Sequence, residues 1–106
     1  MPVNPYRQTR RSHQTETAED YVELIRTLIQ ERGEARAAEI ARRLSVSPVT
    51  VNRTLARLMR EGLITRERYG EVYLTPAGEA MAAASDERHQ VVLAFLLALG
   101  VPQDVA

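Results

Sequence analysis

The chain has 106 residues, 44% of them apolar, with four Tyr, one Phe and no Trp; this allows one small domain with a tail and excludes a large cofactor-binding enzyme fold. Cysteine is absent, which excludes a disulfide framework, a thiolate nucleophile and a thiolate zinc site. Fourteen basic residues, all Arg, balance fourteen acidic ones, yet the charge is unevenly spread. Residues 35–70 hold eight arginines against three glutamates, a net +5, between flanks 15–34 and 71–106 that each carry −4. A basic middle between acidic flanks suits a phosphate-binding surface.

A core of Leu, Ile, Val and Ala predicts a mainly helical protein. Residues 1–16 are polar, carry Arg7, Arg10 and Arg11 without a balancing run of acids, and lack an apolar period; they are expected to form a disordered basic arm. A first helix is expected from Thr17, with Thr17 as N-cap and Tyr21, Leu24, Ile25, Leu28 and Ile29 at 3/4 spacing up to Gly33. A second, shorter helix covers 37–44, with Ala37, Ile40, Ala41 and Leu44 on one face. After the tight link Ser45-Val46-Ser47, Pro48 falls at the first position of a third helix whose buried stripe is Val51, Leu55, Leu58 and Met59. Two helices joined this closely form a helix-turn-helix. In that motif Ala41 permits close crossing, Val46 plugs the corner and Ser45 takes a left-handed conformation that costs of order 1 kcal/mol.

Beyond Gly62 the pattern changes to period 2. Residues 63–67 and 72–74 flank Arg68-Tyr69-Gly70-Glu71, predicting a β-hairpin that serves as a wing. Thr75-Pro76 then opens a long helix towards Leu99. Its last part, 91–99, is apolar on all sides and should meet a partner; it is about half of the ~20 residues needed to span a bilayer. No apolar segment opens the chain, so a cytoplasmic protein without a membrane partner is expected.

The exposed front of the third helix presents Ser47, Pro48, Val49, Thr50, Asn52 and Arg53 to a major groove, where Asn can pair with adenine, Arg with guanine, and methyl groups with thymine. Arg42, Arg43, Arg57, Arg60 and the wing's Arg68, with Tyr69 beside it, are placed to meet the backbone. The competing reading is a metal-independent protein-interaction module that pairs with another regulator through 91–99, its arginines a solvated face. No nucleophile–base pair or Gly-rich phosphate loop supports an enzyme.

Asp20 and Glu23, three apart on one helix face, and His89 on the long helix are donors suited to manganese or ferrous iron. Asp20 also fits a capping box with Thr17, Glu23 an ordinary surface acid, and His89 an ordinary polar residue.

Glu19-Asp20-Tyr21-Val22-Glu23-Leu24-Ile25, Gly33-Glu34-Ala35-Arg36, Ile40-Ala41, Leu44-Ser45-Val46-Ser47, Leu63-Ile64, Leu74-Thr75-Pro76-Ala77-Gly78 and Glu87-Arg88-His89-Gln90-Val91-Val92 occur in an order that resembles the diphtheria-toxin-repressor family of metal-dependent transcriptional repressors. The resemblance covers about residues 17–106. It implies a winged helix-turn-helix at 17–75 and, at 76–106, a linker helix that starts a helical dimerisation domain. It further implies a homodimer on a palindromic operator controlling metal-uptake genes, and a metal site that includes Asp20, Glu23 and His89. Asp at position 20, where iron-sensing relatives have Met, favours Mn²⁺ over Fe²⁺. The family's other ligands lie in a Glu-x-x-Glu-His segment beyond Gly100-Val101, so this chain is expected to hold roughly half the site, a truncated dimerisation domain and weakened Mn²⁺ affinity. Its wing carries Gly70-Glu71 where the family has Arg-Gly.

Overall fold

The computed structural model describes residues 5–68 and 70–100. Their order is α1 (Pro5–Arg32), α2 (Ala37–Leu44), α3 (Pro48–Arg60), β1 (Ile64–Arg66), β2 (Val72–Leu74) and α4 (Pro76–Ala98). This is a mainly helical winged helix. Among these residues no helix is long and apolar enough to cross a membrane.

Helix α1 starts at Pro5 instead of Thr17, so the segment read as a disordered arm is helical from residue 5 onward. Thr17 is not an N-cap: its Oγ1 donates to the His13 carbonyl at 2.8 Å, the back-bonding of a helix-interior threonine. The buried stripe is Ala18, Tyr21, Val22, Ile25 and Leu28, with Leu24 and Ile29 only partly covered. Gly33, at φ 82°, ends the helix and donates its N–H to Ile29 O at 2.9 Å.

Ile40 and Ala41 of α2 and Val51, Leu55 and Leu58 of α3 join the α1 stripe in one core. Between the two helices Ser45 sits at φ 55°, ψ 43°, and Val46 N–H reaches back to Ala41 O at 3.1 Å, a left-handed cap normally built with Gly. Two core expectations fail nearby. Met59 is 43% exposed and Val46, expected to plug the corner, is 36% exposed. Leu58, one residue before Met59, takes the core position, and Val46 lies at the rim of the corner with its N–H bonded to Ala41 O.

Ser47 caps α3, its Oγ accepting from Thr50 N–H at 3.2 Å, and Pro48 follows at N1. The wing is a short antiparallel hairpin in which Ile64 faces Leu74, Thr65 faces Tyr73 and Arg66 faces Val72. Ile64 and Val72 point into the core. Val72 N–H donates to Ala35 O at 2.8 Å, which ties β2 to the α1–α2 link and covers part of its free edge.

Thr75 joins three elements. Its Oγ1 accepts from Gly78 N–H at 3.1 Å and donates to Gly62 O at 2.6 Å, while its N–H donates to Leu63 O at 3.1 Å. A side chain at Gly78 would strike the Leu63 carbonyl oxygen, so the first turn of α4 lies directly on the chain entering the wing. Ala82 and Ser85 are then buried, in the part of α4 that packs along α1. From residue 87 onward every described α4 side chain is exposed.

Candidate nucleic-acid interface and metal centre

The front of α3 is formed as the pattern predicts. Ser47, Pro48, Val49, Thr50, Asn52 and Arg53 are all exposed, Val49 by 66%. Ser47 Oγ and Thr50 Oγ1 lie 2.9 Å apart in a hydrogen bond, which fixes both hydroxyls at the tip. Asn52 Oδ1 accepts from Arg66 Nη1 at 2.8 Å. This β1 arginine was not foreseen as a site residue. It sets the plane of the Asn52 carboxamide across the wing–helix junction, and its only sequence signal is an Arg two residues after Ile64, on the core-facing side of a strand behind the reading helix.

The other cations divide into two groups. Arg42 and Arg43, expected at phosphates, are drawn into an acidic hub instead. Arg42 chelates Glu39 at 2.6–3.0 Å, Arg43 reaches Glu39 at 3.2 Å and Glu31 at 3.1 Å, and Arg32 approaches Glu39 at 3.3 Å. The Arg42 hydrogen bonds hold the Glu39 carboxyl below its usual range. By contrast, Arg53, Arg60 and Arg68 are exposed, and among the described residues none makes an ion pair. Arg57 donates to the Gln14 carbonyl at 3.4 Å and lies 4.0 Å from Glu61. Tyr69 lies outside the described residues. Glu71 is held by its neighbours: Tyr73 Oη donates to it and Arg36 approaches at 3.6 Å.

The second cluster follows the α1–α4 seam. Arg88 pairs with Glu19 at 2.7 Å, and His89 Nδ1 meets Glu23 Oε1 at 3.0 Å. Ser85, only 1% exposed, donates to the other Glu23 oxygen at 2.9 Å. Burial pushes the Asp20 carboxyl above its usual range, reinforced by the Glu23 charge and opposed by His89. Asp20, Glu23 and His89 therefore share one electrostatic neighbourhood, and Glu23 and His89 are in direct contact. Among the described residues no three such side chains converge in an arrangement that could hold an ion. In donor type the trio fits a borderline-hard divalent cation. Ligation would require Glu23 Oε1 and His89 Nδ1 to exchange their mutual hydrogen bond for a shared centre.

Residues 13–72 match the family model described as "Iron dependent repressor, N-terminal DNA binding domain". The chain belongs to this repressor family. It is 49% identical over 104 residues to the transcriptional regulator MntR of Escherichia coli, covering 98% of this chain and 67% of that one. It is 36% identical over 90 residues to the HTH-type transcriptional regulator MntR of Lysinibacillus sphaericus, covering 85% and 65%. This iron-dependent-repressor chain is thus MntR-like and spans about two thirds of these relatives. They are transcriptional regulators, a non-enzymatic class. Among solved structures, Lactococcus lactis ZitR superposes with a TM-score of 0.67 at 27% identity, over 79% of this chain and 56% of that one. ZitR in complex with DNA superposes at 0.64 with the same identity, covering 79% and 58%.

Proposed function

We propose that the protein is a cytoplasmic, manganese-responsive repressor that binds palindromic operators of metal-uptake genes as a homodimer. The observation that carries this reading is the Glu23–His89 contact, because it joins the helix that backs the reading head to the helix that leaves the domain. Asp20, Glu23 and His89 would hold Mn²⁺, with Fe²⁺ a weaker fit; the ion supplies positive charge that offsets the carboxylate repulsion at Asp20. With α1 and α4 tied, the two α3 helices of a dimer keep one spacing, and only that spacing matches two half-sites about 34–36 Å apart. Ser47, Pro48, Val49, Thr50, Asn52 and Arg53 then face bases, while Arg57, Arg68 and Tyr69 meet the backbone.

Val91, Phe95 and Leu99 are 63–64% exposed, and this apolar surface fits a second copy of the chain. The same surface would serve a metal-independent interaction module. Electron paramagnetic resonance of Mn²⁺ titrated into wild type, Glu23→Gln and His89→Gln tests the metal reading. The free-ion signal should be depleted by wild type and restored in both variants; equal depletion by all three proteins removes the seam from the mechanism. Salt dependence of DNA binding separates the alternatives, since a reader of several phosphates weakens steeply with salt.

A further inference from the structure

Beside the hydrophobic core, one small polar side chain is buried among the described residues: Ser85 of α4, at 1% exposure. Inside a helix a serine hydroxyl ordinarily turns back to the carbonyl four residues earlier, as Thr17 does on α1. Ser85 directs its one proton across the seam instead, donating from Oγ to Glu23 Oε2 at 2.9 Å. A buried hydroxyl costs free energy unless it is hydrogen-bonded, and alanine, smaller by one atom, is the better helix former. What the serine adds at this position is therefore its bond to a carboxylate, a strong one because the acceptor is charged.

That bond settles the orientation of Glu23. The last torsion of a glutamate is broad and nearly two-fold, so an unheld carboxylate presents either oxygen to a neighbour. With Oε2 engaged by Ser85, Oε1 is left on the side of His89, 3.0 Å from its Nδ1. An ionised carboxylate only accepts hydrogen bonds, so Nδ1 carries the proton of this contact. Ser85 and His89 are one helical turn apart on the same face of α4, and together they hold both oxygens. The Glu23 side chain is 25% exposed and that of His89 61%, so the contact opens to solvent while its anchor lies in the interior. The two helices are also joined by Arg88 and Glu19 at 2.7 Å and by the shared core. Loss of the hydroxyl thus frees the carboxylate and leaves the packing.

We propose that Ser85 is a positioning residue for the metal centre: its buried hydroxyl fixes Glu23 with one oxygen beside His89, and this sets the affinity of the seam for a divalent cation. The inference rests on the metal reading above. Carboxylates that ligate a metal are oriented by hydrogen-bonding partners behind them, and removing such a partner lowers affinity about 10- to 100-fold.

The test follows Mn²⁺ uptake and the His89 ring separately in wild type, Ser85→Ala and Ser85→Thr, with urea denaturation checking that each is folded. Electron paramagnetic resonance of free Mn²⁺ is expected to show binding about 10- to 100-fold weaker in Ser85→Ala, and restored towards wild type in Ser85→Thr, which keeps the hydroxyl. Imidazole ¹⁵N resonances of the metal-free protein, recorded above the histidine titration range, are expected to report the Nδ1–H form of His89 in wild type and a mixture of both tautomers in Ser85→Ala. A tautomer unchanged in Ser85→Ala overturns the role of Ser85 and, with uptake by wild type intact, leaves the metal reading in place. A folded Ser85→Thr that binds as weakly as Ser85→Ala also overturns that role. Wild type that takes up no Mn²⁺ overturns the metal reading and the proposal together.

Discussion

In the proposed reading, base recognition by α3 turns on Asn52, which does not act alone. Its oxygen is engaged by Arg66, so in that reading the carboxamide would meet a base edge in a preset plane. Asn52→Ala should cost about 1–3 kcal/mol of discrimination at one base position. Arg66→Gln should relax preference at that same position, and competition against duplexes substituted base by base will show whether the two profiles coincide. Non-overlapping profiles would mean that Arg66 positions nothing. Ser45 makes a separate, energetic prediction. A non-glycine residue at φ 55° carries left-handed strain of about 1–2 kcal/mol, partly offset by glycine's greater freedom when unfolded. Ser45→Gly should therefore stabilise the fold by about 0.5–1 kcal/mol in urea denaturation; a destabilised variant would show that the serine side chain has a compensating role.

The elements were legible from the chain where local chemistry and packing agree. Ser47-Pro48 and Thr75-Pro76 each carry a cap followed by a residue that needs no N–H, and both open helices where expected. The phase of the α1 stripe was harder to see. Val22 is fully buried while Leu24 is not, because the helix must face α4 as well as the reading head and its covered arc is wide. The start of α1 was hidden for another reason: residues 5–16 have no apolar period, and the helix there is the continuation of the turn at 13–17 that lies beside α3. Arg42 and Arg43 show a limit of charge counting, since Glu39 gathers both, and only the fold reveals which arginines stay open. Thr75 connects the C-terminus of α3, the wing and α4 through three hydrogen bonds. Thr75→Val removes both side-chain bonds and should cost about 1–2 kcal/mol, read as a lower urea midpoint with an unchanged denaturant slope. A midpoint equal to that of wild type would mean that the junction is held by packing alone.

At the scale of the whole molecule, the reading head and the second half of α4 have opposite surfaces. One is polar and basic, while the other exposes Val91, Phe95 and Leu99. Helix α4 leaves the core after Ser85, so partner contacts along 91–99 would be transmitted through the same helix that carries His89. If that face pairs two copies, Phe95→Glu should shift the sedimentation coefficient to that of a monomer without loss of helicity. An unchanged coefficient would place the self-association surface elsewhere. The α1–α4 seam lies between the two functions, with Glu23 held from one side by buried Ser85 and from the other by His89. In the proposed dimer, that placement would let a change at the seam alter the spacing of two reading heads without touching either one. The most direct measurement is selection of bound duplexes from a randomised pool, with Mn²⁺ and with a chelator, using wild type and Asn52→Ala/Arg53→Ala. An inverted repeat enriched by wild type in Mn²⁺, and lost both with the chelator and in the double variant, is the predicted result. Enrichment that ignores the metal, or that survives in the double variant, would contradict it.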